Sequence, residues 1–384
     1  MASSMFEEIV KFIRELYKTD DFIPLHEPRF WGNEKKYLNE CIDSTFVSSV
    51  GKYVDLFEKK IVEYTGAKYA VAVVNGTQAL FVGLKLIGAK PDTEVITQAL
   101  TFIATANAIQ YTGAEPIFLD VDKETMGLSP LALQTFLEKN TEQQDGQCLN
   151  RKSGNHIVAC VPMHTLGHPC RIEEIRKICD EFHIILVEDA AESLGSFVGS
   201  KHTGRFGQIG ILSFNGNKII TTGGGGMIIT DDESLAKRAK HLTTTAKETH
   251  PWEFNHDEIG YNFRLPNLNA ALGVAQMENL AGFLEKKREQ AALYQEFFTN
   301  QDMDFFKEPE DTRANYWLNS ILVKNSQERD AFLKYSNESG IMTRCLWTPM
   351  HLLSMYEHCQ RDGLLNTEYL FARLVNIPSS VRSP

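Results

Sequence analysis

From residue 69 onward, short and almost continuous apolar runs alternate with longer stretches whose apolar positions recur at helical spacing. The run at 69–74, Tyr-Ala-Val-Ala-Val-Val, shows no polar face, as expected of a strand covered on both sides. It passes through Asn75-Gly76-Thr77 into a helical stretch at 78–87. Strands predicted at 94–97 and 116–121, with a helix at 104–111 between them, continue the alternation. A polar segment near 139–155 is expected to be loop. A strand at 157–161, a helix at 172–181 and a strand at 184–187 follow. Two further apolar runs, 209–214 and 227–230, are β-branched and bounded by glycine, which predicts short buried strands. This alternation predicts an α/β fold with a mostly parallel sheet sandwiched by helices.

The two ends of the chain follow other rhythms. Phe6, Ile9, Val10, Ile13, Leu16 and Tyr17 share one helical face, so 5–18 should form an amphipathic helix. Its stripe needs cover from the body of the protein or from a second subunit. Further helices are predicted at 33–43 and 53–65, the latter ended by Gly66. After about residue 265 a long helical stretch, 267 to about 298, leads to short apolar runs at 316–323 and 341–347. We read 1–22 as an N-terminal helix, 23–265 as a large α/β domain and 266–384 as a smaller C-terminal α+β domain.

Composition narrows the functions open to such a chain. A length of 384 residues exceeds one compact core and fits a large and a small domain. The net charge of −11 argues against general nucleic-acid binding or a polybasic membrane role. No apolar stretch approaches the roughly 20 residues of a membrane span. The 7 cysteines are scattered, without a Cys-x-x-Cys pair or zinc spacing, which predicts free thiols in a reducing compartment and no metal site. The first residues, Met-Ala-Ser-Ser-Met-Phe-Glu-Glu, lack the basic start and apolar core of a signal peptide, so the cytoplasm is the expected compartment.

Candidate chemistry centres on Lys218, which lies between the runs 209–214 and 227–230 on a connection anchored at both ends. An ammonium near apolar walls is costly to keep charged, and the neutral amine is the nucleophile for a Schiff base with a carbonyl cofactor. The turn Asn75-Gly76-Thr77, where a buried strand becomes a helix, offers an anion cup of free amides at a positive dipole end. Asp189 and Glu192 follow the strand 184–187, the usual ligand position in open α/β sheets, and a carboxylate there needs a cationic partner. Phe102 can stack on a flat ring, and Ser213 can bond a phosphate. Gly223 to Gly226 form neither a Walker A loop nor a dinucleotide fingerprint, and predict a tight turn with positive φ. Each feature alone has a plain structural reading: a helix cap, a core phenylalanine, a snorkelling lysine. Together, in this order, they fit pyridoxal phosphate.

These segments identify a resemblance. Val74 to Leu80, Thr101 to Asn107, Glu188-Asp189-Ala190-Ala191-Glu192, Ser213-Phe214 through Lys218 to Thr222, and Gly260-Tyr261-Asn262-Phe263-Arg264 resemble the DegT/StrS nucleotide-sugar aminotransferases, which are fold type I pyridoxal-phosphate enzymes. The resemblance spans nearly the whole chain. It implies that Lys218 carries the cofactor as a Schiff base and shuttles the proton. It further implies that Asp189 pairs with the pyridinium, that Phe102 stacks on the ring, and that Gly76, Thr77 and Ser213 hold the phosphate. Glu192 would face the ring hydroxyl or the substrate, and Asn262 would reach the phosphate of a neighbouring subunit, making the site a property of a homodimer. His164 and His351 lie in segments that line substrate sites in relatives. The segments around Pro24 to Pro28, Phe30 to Glu34, Val47 to Gly51 and Asn376 to Ser380 resemble the branch acting on UDP-linked 4-keto-6-deoxy-N-acetylhexosamines, as in bacillosamine and legionaminic acid pathways, with L-glutamate as donor. Two other readings use the same scaffold: a sister reaction such as sugar dehydration, in which relatives replace the lysine by histidine, and a non-catalytic ligand-binding regulator.

Overall fold

The computed structural model describes residues 2–299, 301 and 303–382. Helices α1 (Ala2–Tyr17), α2 (Glu34–Ser44) and α3 (Lys52–Thr65) precede the sheet. The α/β body follows as β1 (Tyr69–Val73), α4 (Gly76–Leu86), β2 (Thr93–Gln98), α5 (Ile103–Thr112), β3 (Glu115–Leu119), α6 (Pro130–Asn140), β4 (Thr141–Gln144), β5 (Gln147–Asn150), β6 (His156–Val161), α7 (Ile172–Glu181) and β7 (Ile185–Asp189). Two short strands, β8 (Phe197–Val198) and β9 (Lys201–His202), lead to β10 (Ile209–Ser213), β11 (Gly226–Thr230) and α8 (Glu233–Thr243). The strands lie in the order β1-β11-β10-β7-β6-β2-β3, with the β4–β5 hairpin attached at the start of β6. From β10 to β3 neighbouring strands are parallel, and β11 is antiparallel to both β1 and β10. The parallel strands therefore all present their C-terminal ends to one edge, where α/β sheets bind ligands.

Two elements differ from expectation for identifiable reasons. The segment near 139–155 is a hairpin and not a loop. Asp145 and Gly146 both take positive φ, 52° and 77°, which is the backbone of an Asp-Gly hairpin turn. Polar strand residues conceal the hairpin, and the Asp-Gly pair was its signal. Helix α6 opens with Ser129 accepting from the Ala132 amide and Pro130 in the first turn, a start signal that weak apolar periodicity obscured.

The long helix α9 (Asn267–Phe298) leads into β12 (Asp304–Phe305), β13 (Thr312–Arg313), β14 (Asn319–Leu322), α10 (Ser326–Glu338), β15 (Arg344–Cys345), α11 (Leu365–Phe371) and β16 (Leu374–Ile377). Strands β12-β14-β16-β15 form an antiparallel sheet. The stripe of α1 is covered by this part of the chain: Phe6, Ile9, Ile13 and Leu16 share a core with Tyr294, Phe305, Phe332 and Ile341. Helix α1 thus packs against α9, β12 and α10.

Helix α9 also carries a fully buried lysine. Lys287 Nζ donates to the Trp317 carbonyl at 3.1 Å and the Ser379 carbonyl at 2.5 Å, tying the helix to two later segments of the chain. Burial lowers its pKa to about 7. Between that value and the ordinary lysine value the unfolded chain holds a proton that the folded chain lacks, so folding stability rises with pH across this window, and the penalty is fully in place below it. Lys287→Met should remove this rise, a change of roughly 2–4 kcal/mol in the pH dependence of chemical denaturation between pH 7 and 10.

Candidate active site

Lys218 stands on the connection between β10 and β11, and backbone bonds close that loop at its neck. The Phe214 amide donates to the Gly225 carbonyl at 2.9 Å, and the Thr222 amide donates back to the Phe214 carbonyl at 2.9 Å. Inside the loop the Lys218 amide donates to the Asn215 carbonyl at 3.0 Å. The glycine run serves two purposes. Gly223 supplies the positive φ of the turn, 78°. At Gly226 a Cβ would lie 2.4 Å from the Asn75 carbonyl, so only glycine lets β11 press against the Asn75-Gly76 turn. Lys218 Nζ lies 3.2 Å from Glu192 Oε1 and 3.9 Å from the centroid of the Trp317 ring.

Asp189 ends β7 and is 2% exposed. Its Oδ2 accepts from Thr105 Oγ1 at 2.7 Å and its Oδ1 from the Ala191 amide at 3.1 Å. Burial raises its pKa, and these two bonds oppose the rise. Among the described residues no cation forms an ion pair with it. Glu192 accepts the Leu166 amide at 2.9 Å on its other oxygen. Burial raises its pKa as well, against the pull of Lys218.

The anion cup forms where β1 turns into α4. Asn75 caps the helix, its Oδ1 accepting from the Gln78 amide at 2.8 Å, so the capping reading of this turn is also correct. First-turn amides of a helix have no intrahelical partner and are free for an anion. A Cβ on Gly76 would stand 3.0 Å from Ser213 Cβ and 3.2 Å from its Oγ, so the turn and the end of β10 are in close contact. Gly76→Ala should displace Ser213 and weaken cofactor binding about tenfold, read by titrating the cofactor-free protein against the visible absorption band.

These groups line one cavity of about 370 Å³. Gly76, Thr77, Phe102, Asp189, Glu192, Ser213 and Lys218 all contribute to its wall. Phe102 is 45% exposed, unusual for a ring preceding a helix, and meets Trp347 edge-on with centroids 6.0 Å apart. Pyridoxal phosphate fits this donor set. The crowded Gly76–Ser213 turn suits a phosphate, the uncovered phenylalanine a flat ring, and the unpaired buried carboxylate a pyridinium nitrogen. Sequence reasoning misses Thr105, Trp317 and Trp347. Trp317 falls in an apolar run that reads as core, and Trp347 closes a run of the same kind.

Three expected residues lie elsewhere. His164 is 0% exposed and does not reach the cavity. Its Nδ1 accepts the Cys170 amide at 3.2 Å, which places the ring proton on Nε2, 3.0 Å from Glu188 Oε2. Glu188 also accepts the amides of Gly204, Phe206 and Gly207, so His164 completes a bracing network around the end of β7. His351 sits in the turn Met350–Leu352, buried outside the cavity wall, with Nε2 3.8 Å from Glu368 Oε1. Burial lowers its pKa. Asn262 is exposed, pairs with Thr244 across an isolated bridge, and lies outside the cavity of its own chain.

A lysine on a closed loop, a buried carboxylate at the end of a parallel strand and a helix-start anion cup on a mixed sheet of this strand order define a pyridoxal-phosphate-dependent aminotransferase of fold type I. The chain belongs to the DegT/DnrJ/EryC1/StrS aminotransferase family, whose model matches residues 30–382. It is 38% identical over 359 residues to a GDP-perosamine synthase of Escherichia coli O157:H7, covering 93% of each chain. It is 34% identical to the GDP-perosamine synthase of Vibrio cholerae, covering 93% of this chain and 94% of that one. Among solved structures it is similar to the aminotransferase TlmJ from Streptoalloteichus hindustanus, with a TM-score of 0.84, 26% identity and 93% of each chain covered.

Proposed function

We propose that this enzyme moves the amino group of L-glutamate to the C4 ketone of a nucleotide-linked 4-keto-6-deoxy sugar, in two half-reactions that release 2-oxoglutarate and then the amino sugar. The observation that carries the reading is the convergence of Lys218, Asp189 and Glu192 on one cavity behind the Gly76–Ser213 cup. Pyridoxal phosphate, when bound, supplies the electron sink that makes the donor's α-proton acidic. Lys218 acts as nucleophile and then as the base that takes up and returns that proton at Nζ. Asp189, ionised, would keep a ring nitrogen protonated, and Glu192 would orient the lysine between turns of the reaction. Phe102 and Trp347 would cover the ring and limit access of water.

The sequence branch suggested a UDP-linked N-acetylhexosamine in bacillosamine- or legionaminic-acid-type surface-sugar synthesis. Names of the similar enzymes carry GDP, and on that basis we place a GDP-linked keto-sugar first. We also infer a homodimer in which Asn262 completes the partner's phosphate site. Trp252 and Phe254 are each 76% exposed and Ile259 is 85% exposed in the segment leading to Asn262, an apolar surface suited to such a contact. A cytoplasmic location accords with the free thiols. No helix of the described residues is long and apolar enough to cross a membrane.

The test supplies L-glutamate with GDP-linked or UDP-linked keto-sugar to the purified, cofactor-loaded protein and follows both products by mass spectrometry. Amination of the GDP-linked sugar supports the reading. Amination of the UDP-linked N-acetyl sugar alone moves the assignment to that branch. A protein whose visible band is bleached by glutamate but which aminates neither sugar overturns both the GDP-linked and the UDP-linked assignment.

A further inference from the structure

Trp317 belongs to none of the segments that carry the family resemblance, yet it engages the Lys218 region twice. Its Nε1–H donates to the Asn217 carbonyl at 2.6 Å, fixing the peptide just before the lysine. Its ring centroid is 3.9 Å from Lys218 Nζ. Glu192 Oε1 stands 3.2 Å from the same nitrogen, so the amine has an indole face and a carboxylate as its seat. Trp317 is almost fully buried, which makes the attraction of a π face for a cation stronger than at a surface.

The two halves of this seat are joined. Asn315 Oδ1 accepts the Trp317 amide at 2.7 Å, while its Nδ2 donates to the Glu192 carbonyl at 2.8 Å and the Leu194 carbonyl at 2.9 Å. Lys287 Nζ holds the Trp317 carbonyl from behind at 3.1 Å. A second carboxylate in place of the ring would grip the ammonium with a directional bond. A π face holds it beside Glu192 without a second directional bond.

We propose that Trp317 is a positioning residue for the Lys218 amine, holding its protonated form beside Glu192 after the donor has displaced it, so that the proton is returned from a fixed place. In that step Nζ takes up the donor's α-proton as ammonium and would pass the same proton to the cofactor carbon bonded to the transferred nitrogen. The proposal rests on the reading of Lys218 as the acting amine.

The test uses the cofactor-loaded enzyme and single turnover with L-glutamate alone, read as decay of the visible band. Trp317→Leu should slow the decay about tenfold, and Trp317→Phe, which keeps a π face, about threefold, the range of a desolvated cation–π contact. The glutamate concentration for half-saturation should stay within about twofold of wild type, since the ring acts on the amine and not on the donor. Borohydride fixation of the cofactor to Lys218, located by peptide mass, should remain stoichiometric in both variants, separating positioning from loading. Incorporation of tryptophan carrying one, two or three fluorines should slow wild type step by step, and this grading should vanish in Trp317→Phe. A wild-type decay rate in Trp317→Leu, or a flat response to fluorination, overturns the assignment. If wild type itself shows no glutamate-dependent decay or no fixation at Lys218, the reading of Lys218 fails first, and this proposal falls with it.

Discussion

Replacing Lys218 with alanine should abolish transamination while leaving a folded protein. The loss should be roughly four orders of magnitude or more, because one side chain serves as both nucleophile and proton carrier. Folding should survive because the loop is closed by backbone groups: the Phe214 and Thr222 amides and the Gly225 and Phe214 carbonyls remain in place whatever side chain occupies position 218. The vacated Glu192 loses the cation that pulls its pKa down, so burial raises it further, and the carboxyl takes a proton instead of remaining as a buried unpaired charge. Thermal unfolding should therefore shift by no more than a few degrees, while product formation from L-glutamate and keto-sugar disappears. Turnover within a hundredfold of wild type would remove Lys218 from the centre of the mechanism.

How much of this was legible in the sequence depends on which forces set each feature. The parallel strands announce themselves because a strand covered on both faces has no polar positions, as in 157–161. Carboxylates placed directly after such a run fall at the ligand-binding edge by topology, which is why Asp189 and Glu192 were found. His164 came from the resemblance and not from this pattern. It too follows a buried strand, β6, but the Glu188 carboxylate and the Cys170 amide turn its ring inward, and no one-dimensional pattern shows that demand. Trp317 was hidden for the converse reason. Its run reads as core, and the ring's contact with Lys218 spans about a hundred residues of chain. Asn262 differs again: its place on the exterior of one chain is informative only once a second chain is considered.

Asp189→Asn should lower kcat by roughly three orders of magnitude with KM changed little, a signature of an interaction used in the transition state and not in binding. The substitution is close to isosteric. The Ala191 amide can still donate to the remaining carbonyl oxygen, and the Thr105 hydroxyl can turn to accept from the new amide instead of donating. The cavity and the Gly76–Ser213 cup are untouched, so cofactor loading should persist and the visible band should form. What disappears is negative charge. A neutral amide at the end of β7 cannot hold a ring nitrogen protonated, and the electron sink on which α-proton removal depends is weakened. The cofactor-free protein reports the same charge independently. Burial raises the Asp189 pKa there, so the folded state keeps a proton longer than the unfolded chain, and stability falls as pH rises through the carboxylate range toward and past the folded value. The asparagine variant should lose this decline, and cofactor binding should offset it in wild type by supplying the missing cation. A variant with wild-type kcat, or one whose cofactor-free form keeps the full decline, would show that Asp189 serves the strand end and not the ring.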